Sequence, residues 1–474
     1  PPAYILDTLF LEFLDQVVDW AEGLQIHLIL DNHSFDPASD TDPNIGEILV
    51  RVWTQMARHY RDRSRYLIYE VLNEPHGIED VLWNAIQQQV VEAIRSVDSR
   101  HTIIIGPAGW NSYNNLKYMP EIKDPNLIYT FHFYDPFLFT HQGASWSSPS
   151  MVSLAGVPFP YDPHAMPACP NDLIGSWVEG ALNVSYKTEG TTARVRQLLD
   201  RAVSFQAQRR WTARLFCGEF GVYMPNSDPA QRVAWYRLVR EALEERGIAW
   251  TTWDYTGGFG LFEAGGNDLF EHDLNGPLVA ALDFNCPAQT DYVLEPDSAG
   301  FALYTDYVAP HCVASSSVGD GTLDYYHGAG PAQGKYCIHW TGSGQYHQVG
   351  FNFTPDKDLS VLVRQGYAVE LWARGDSPGS RLDLRFVDTK TGPDDHPWRI
   401  RVRLDQARSA WDGAWHRVRI PLADFTEHGS WDNGWFNPQG RFDWTAVDRF
   451  EIASEYHSLD GMQFWFDQIQ VAGP

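Results

Sequence analysis

Apolar positions near the start of the chain recur at helical spacing. Leu6, Leu9, Phe10, Phe13, Leu14, Val17, Val18 and Ala21 form one stripe, which predicts an amphipathic helix. A compact apolar run from Ile26 to Leu30 follows and ends in Asp31-Asn32-His33. Similar runs lie at Tyr66–Leu72, Thr102–Ile105, Leu127–Phe133, Arg214–Cys217 and Ala249–Trp253. Helical patterns separate most of them, at Ile48–Tyr60, Val81–Val97, Ala193–Gln208 and Pro229–Arg246. Short buried strands alternating with amphipathic helices predict βα units and a parallel sheet. The chain opens on a helix, so a closed eight-fold (β/α) barrel would need two further strands ahead of Pro1. A doubly wound open sheet is the competing architecture, but no Gly-x-Gly-x-x-Gly turn opens the first helix.

Beyond residue 285 the helical period disappears. Short β-branched and aromatic runs take its place at Phe301–Val308, Gln348–Phe353, Tyr367–Ala373, Leu382–Val387, Trp398–Leu404, His416–Ile420, Asp448–Ala453 and Phe464–Val471. Gly, Pro, Asp and Asn punctuate them, as in an all-β sandwich. The reading is therefore two domains: 1–285, an α/β TIM barrel lacking its first two strands, and 286–474, a β-sandwich or jelly roll. The segment Cys286–Gly300 is the joint.

Charge narrows the partners. With 35 Lys+Arg against 61 Asp+Glu the formal net charge is −26, which repels nucleic acid and anionic membrane. No apolar run reaches the roughly 18 residues that span a bilayer. The aromatic fraction of 14% supplies either flat faces suited to stacking on a neutral ligand or simply aromatic-rich cores. Five cysteines make no disulfide framework and no Cys-x-x-Cys pair, and one bridge, Cys312 with Cys337, is open to the strand-rich stretch.

The chemistry concentrates at two strand ends. The strand Leu67–Leu72 leads into Asn73-Glu74-Pro75, and Arg214–Cys217 leads into Gly218-Glu219-Phe220-Gly221. Carboxylates at the C-terminal ends of two barrel strands sit where such barrels build active sites. A pair of this kind suits glycoside hydrolysis, one protonating the departing oxygen while the other attacks the anomeric carbon or activates water. Glycines beside Glu219 relieve crowding around a carboxylate that must approach a ligand closely. His132 and Tyr134 alternate on one strand and share a face, so the Tyr134 hydroxyl can orient Glu219 while His132 tunes the proton of Glu74. His33 closes its strand at the cleft, Asn73 can hydrogen-bond a sugar 2-hydroxyl, and Trp253 offers an indole face to a sugar ring. Trp110, after the third run of the pattern, and Trp146, within a long loop from about Asp135 to Gly190, are further sugar platforms; His141 is a weaker candidate.

With these motifs in view, residues 1–285 resemble the C-terminal three-quarters of a glycoside hydrolase family 5 catalytic domain, the family of many cellulases. The resemblance is carried by Leu30-Asp31-Asn32-His33, Asn73-Glu74-Pro75, His132-Phe133-Tyr134, Gly218-Glu219-Phe220-Gly221 and Trp253. It implies Glu74 as acid/base, Glu219 as nucleophile and a retaining double displacement without cofactor or catalytic metal. It also implies secretion, and an arginine-bearing strand upstream of Pro1 that braces the nucleophile. Without that strand, low or no turnover is expected.

The second domain resembles, more loosely, jelly-roll carbohydrate-binding modules. Trp431, Asp432, Asn433, Trp435 and Asn437 are its most suggestive cluster, an indole pair beside amides. Such modules often hold a structural calcium, for which Asp394, Asp395 and Asp460 are conceivable ligands. The expectation is a monomeric endo-β-glucanase on cellulose or mixed-linkage glucan. Mannan, xyloglucan or β-1,3-glucan as substrate, or a non-catalytic carbohydrate-binding protein, are the alternatives.

Overall fold

A computed structural model describes residues 4–33, 40–209 and 213–474. The chain divides into two compact units, Pro1–Thr290 and Asp291–Pro474.

In the first unit, β1 (Leu28–Asp31), β2 (Leu67–Glu70), β3 (Thr102–Ile105), β4 (Leu127–Phe133), β5 (Arg214–Phe220) and β6 (Ala249–Trp250) form one sheet in chain order. All neighbouring strands in it are parallel. Right-handed crossovers that always step the same way put every helix on one face, so the sheet curls as part of a barrel. A doubly wound sheet reverses its strand order partway; this one does not.

Some of the helices begin where the sequence supplies caps. Asp7 accepts hydrogen bonds from Leu9 and Phe10 at the start of α1 (Thr8–Leu24). No side chain caps α2 (Ile45–Tyr60) or α3 (Asp80–Arg95). Thr191 caps α4 (Thr192–Gln208), and Asp228 with Pro229 opens α5 (Pro229–Glu244). Their apolar faces bury Trp53, Trp83, Val195 and Trp235 against the outward residues of the strands, such as Leu67, Tyr69, Ile103 and Phe131. Two of the buried indoles also place the site. Trp53 Nε1 donates to Val71 O and Trp83 Nε1 to Gly106 O, each at 2.8 Å. Each holds a segment just beyond a strand end, and truncating such a residue to Ala costs about 3–5 kcal/mol.

Two regular strands are shorter than the apolar runs suggested. β2 ends at Glu70, so Asn73 and Glu74 stand on the segment after it. β6 ends at Trp250, so Trp253 lies beyond it, its N–H still bonded to Phe220 O at 3.0 Å. The stretch 135–190 is not a bare loop. It buries Leu138, Phe139, Met151, Leu154, Val157, Phe159 and Tyr186 in the core and carries short helices at Phe137–Thr140 and Trp177–Gly180.

The second unit is two antiparallel sheets, one of six strands and one of seven, packed over a core that includes Leu371, Leu384, Phe386, Phe450 and Phe466. Five strands escaped the pattern: Cys312–Ala314, Thr322–His327, Cys337–Thr341, Thr426–Trp431 and Trp435–Phe436. They are short or carry polar residues on both faces. Cys312 and Cys337 do not form the bridge left open by the sequence: they stand in different sheets, and both are free and buried.

Candidate active site

The position of Glu219 depends on a bulge. Along β4 and β5, Thr130 pairs with Phe216 and Phe131 with Cys217, but His132 pairs with Glu219, so Gly218 is skipped. Strict alternation would turn Glu219 toward the helices; the extra residue restores it to the interior face beside His132. Only glycine fits at the skipped position, since a Cβ on Gly218 would lie 2.6 Å from Thr130 Oγ1 and 3.2 Å from His132 Nε2. Gly221 is equally constrained, with Trp253 O 2.4 Å from where its Cβ would be.

Glu74 faces the same space from the other side. Its φ of 46° lies in the left-handed region, a strained conformation for a non-glycine residue. The His76 ring secures it by donating from Nδ1 to Glu74 O at 2.8 Å. His132 Nδ1 lies 2.6 Å from Glu74 Oε1 and 3.3 Å from Glu219 Oε2. The Tyr134 hydroxyl donates to Glu219 Oε2 at 2.9 Å. The imidazole thus sits between the two carboxylates, and the phenol fixes one of them.

These contacts set the charges. Burial alone would drive the His132 proton off, but the Glu219 charge and the Glu74 hydrogen bond outweigh it and raise the pKa to about 9. His132 is therefore an imidazolium at neutral pH. Burial pushes the Glu219 carboxyl up from its ordinary value, against the opposing pull of His132. Burial, with Glu219 nearby, holds Tyr134 firmly as the neutral phenol and hence a donor.

His33 and Trp253 come together, their rings stacked at 5.0 Å and 3°. His33 Nδ1 bonds Asp31 Oδ2 at 2.8 Å, and Asn73 Nδ2 lies 3.4 Å from His33 Nε2. That hydrogen bond to Asp31 raises the His33 pKa despite partial burial. Trp110 stacks on His76 at 4.7 Å and is 56% exposed, so one indole face is free beside the Glu74 segment. Trp146, equally exposed, packs edge-on against Tyr223 at 4.8 Å and lies 6.2 Å from Phe259. Phe259 in turn touches Tyr134, so an aromatic wall leads from Trp146 to the Glu219 side of the site. His141 is part of that wall rather than a surface group: it stacks on Phe137 and is buried, which lowers its pKa to about 3.

Sequence reasoning missed His76, Tyr223, Phe259 and Asn111, whose amide lies 3.4 Å from His132 Nε2. Only His76, directly after Asn73-Glu74-Pro75, carried a signal that could have found it. Among the described residues, Glu74, His132 and Glu219 alone bring ligand-type atoms within 4.8 Å of one another, and hydrogen bonds already pair them. The calcium candidates do not gather into such a set. Asp395 spends its oxygens on Thr391 and on Trp398 Nε1.

The second unit holds a cavity of about 690 Å³ on its seven-stranded sheet. Trp431, Trp435 and Tyr346 stand at its rim, and Arg385, Arg399, Arg449, Glu451 and Glu455 form its floor. Trp431 and Trp435 are 58% and 43% exposed, whereas Trp340, Trp398 and Trp411 are core. Asp432 and Asn437 of the same cluster are already bonded, to Lys390 and His396 and to Trp435 Nε1.

Residues 2–258 match the family described as Cellulase (glycosyl hydrolase family 5), and residues 315–473 match carbohydrate binding domain 30. Among curated relatives, Endoglucanase 3 of Fibrobacter succinogenes is 32% identical over 295 residues, covering 58% of this chain and 42% of that protein. Endoglucanase C of Acetivibrio thermocellus is 30% identical over 259 residues, covering 52% of this chain and 72% of that protein. This chain thus spans less than half of the first relative's length. Among solved structures, Thermotoga maritima Cel5A in complex with cellobiose is 26% identical with a TM-score of 0.48, covering 60% of this chain and 80% of that one.

Proposed function

Since the chain belongs to glycosyl hydrolase family 5, we propose that its first unit cleaves internal β-1,4-glucosidic bonds of cellulose or mixed-linkage β-glucan by double displacement. The observation that carries the reading is the pairing of Glu74 and Glu219, with carboxylate oxygens within 4.8 Å of each other across one imidazolium. Retaining enzymes hold their carboxyls about 5–5.5 Å apart, whereas inverting ones leave about 6.5–9.5 Å for a water.

Glu219, buried and fixed by Tyr134, attacks the anomeric carbon, while Glu74 gives its proton to the departing glycosidic oxygen. The glycosyl–Glu219 ester forms as the C–O bond to the leaving chain breaks. Glu74, now a carboxylate, takes a proton from water, whose oxygen attacks the same carbon and releases Glu219. His132 keeps a proton at Glu74 Oε1 and a positive charge against both carboxylates, which limits their mutual repulsion between steps. Asn73 bonds the sugar 2-hydroxyl, Trp253 packs on the ring at the cleavage point, and Trp110 and Trp146 stack on further sugars. Several exposed platforms around one carboxylate pair suit a long chain. In the second unit, Trp431, Trp435 and Tyr346 stack on the glucan while the polar cavity floor bonds its hydroxyls.

The test is release of reducing ends, with loss of viscosity, across cellulose, mixed-linkage glucan, xyloglucan, mannan and β-1,3-glucan. It is run on this chain and on a form extended upstream of Pro1. Turnover highest on the β-1,4-glucans is expected. Turnover confined to another polysaccharide would overturn the substrate, and binding without turnover in either form would leave a carbohydrate-binding protein.

A further inference from the structure

The interior face of the sheet carries a third carboxyl that the hydrolytic steps do not use. Glu70, the last residue of β2, is 7% exposed and lies directly across from Asp31 of β1 in parallel register. On its other side it faces Ile104 of β3. Adjacent strands are about 4.8 Å apart, so the Asp31 and Glu70 side chains leave the sheet as near neighbours on one face. The charged and titratable groups around Glu70 are Asp31 and His33 from β1 and its end, Glu74 from its own segment, His132 from β4 and Glu219 from β5. Among the described residues no lysine or arginine pairs with Glu70 or Asp31.

Glu70 is buried and Asp31 only partly so, and His33 pairs with Asp31 while the charge of His132 opposes the burial of Glu70; side by side, the two carboxyls still oppose each other's ionisation. Their partners differ. Asp31 accepts the His33 Nδ1 hydrogen bond through Oδ2 at 2.8 Å. Its Oδ1 is buried and has no partner, an acceptor waiting for a donor. Glu70 lies directly across the ladder from Asp31, and a protonated Glu70 can supply that donor. Burial, reinforced by the Asp31 charge, acts in the same direction by raising its pKa.

We propose that Glu70 holds a proton at neutral pH and is a positioning residue, donating to Asp31 so that Asp31 holds the His33 ring against Trp253. Ionising Glu70 puts a second negative charge behind His132 and Glu219 and repels Asp31, loosening the His33–Trp253 stack that meets the sugar. Activity on the alkaline side then declines as Glu70 loses its proton.

Infrared difference spectra of the chain against Glu70→Gln test this without any turnover. The C=O stretch of an un-ionised carboxylic acid is expected in the parent at pH 7, bleaching as the pH rises, and absent in the variant. In Asp31→Asn, which removes the neighbouring charge, that band bleaches at lower pH than in the parent. No such band at pH 7, or a bleaching midpoint unmoved by Asp31→Asn, overturns the proposal. The kinetic arm rests on the hydrolase reading. Glu70→Gln, a neutral isostere, keeps kcat/KM near neutrality and moves its alkaline limb upward, whereas a merely structural Glu70 would leave the limb where it is. Absence of turnover with the band present would count against the hydrolase reading and leave the proton assignment standing.

Discussion

Glu219 in the first unit and Glu451 in the second are both carboxylates buried on a sheet among charged neighbours, and they are held in opposite states. Glu451 accepts from the guanidinium groups of Arg385 and Arg449, which outweigh its burial and hold its pKa below the ordinary value. Glu219 has a phenol and an imidazolium instead, and burial wins, so its pKa is raised. Arginine never gives up its proton, so a carboxylate clamped by two of them is a fixed charge. Histidine and tyrosine are partners that leave a carboxylate basic and responsive. The difference separates a floor built to stay charged from a pair built to exchange protons and bonds.

Substitution separates the two most sharply. Glu219→Gln removes the nucleophile and should cut turnover by more than about 10⁴-fold, since acid–base assistance alone is of order 10²–10⁴. It is made in whichever form, this chain or the upstream extension, turns over faster. Glu451→Gln should leave turnover per folded molecule unchanged and cost up to about 3 kcal/mol of stability, because it removes the buried carboxylate shared by Arg385 and Arg449, each of which keeps one other partner, Glu455 and Asp448. Kinetics and denaturant unfolding on both variants check this. Turnover lost in both would erase the distinction.

The units should also fail at opposite ends of the pH scale. The folded His132 pKa of about 9 lies above its ordinary 6.5, so its stabilising contribution is full below 6.5 and is lost as pH rises through 9. Glu451, with its pKa lowered, contributes above its unfolded value and loses that contribution as pH falls through the folded one. Thermal unfolding of His132→Gln against the parent should therefore converge at alkaline pH and diverge near neutrality. Smallest is the effect of replacing Trp431 and Trp435 with Ala. Binding to insoluble glucan should weaken about tenfold, on the order of the 0.5–1.5 kcal/mol that aromatic contacts add, with turnover of soluble substrate unaffected. Pull-down and reducing-end assays read the two quantities separately.

What the chain disclosed on reading follows the same division. The βα alternation and the two strand-end glutamates were legible because buried strands and amphipathic helices leave strong periods, and Asn-Glu-Pro and Gly-Glu-Phe-Gly interrupt them abruptly. The bulge at Gly218 was not, since a one-residue register shift leaves no trace in local composition; only the glycine itself hinted at crowding. Strand ends were read too long at Leu72 and Trp253 because apolar character continues past the regular ladder. In the second unit the charged floor was invisible. Arg385, Arg399, Arg449 and Glu451 alternate with core residues along their strands and read as an ordinary solvated face. Trp431 and Trp435 stood out only by being close together.

The central claim is that Glu74 and Glu219 act as a proton-exchanging pair close enough for a covalent intermediate. Proton NMR of the anomeric signals during early hydrolysis of a soluble β-1,4-glucan oligosaccharide tests it most directly. The β-anomer of the newly formed reducing end should appear first and then mutarotate to the equilibrium mixture. First appearance of the α-anomer would mean inversion through a single displacement, and would contradict it.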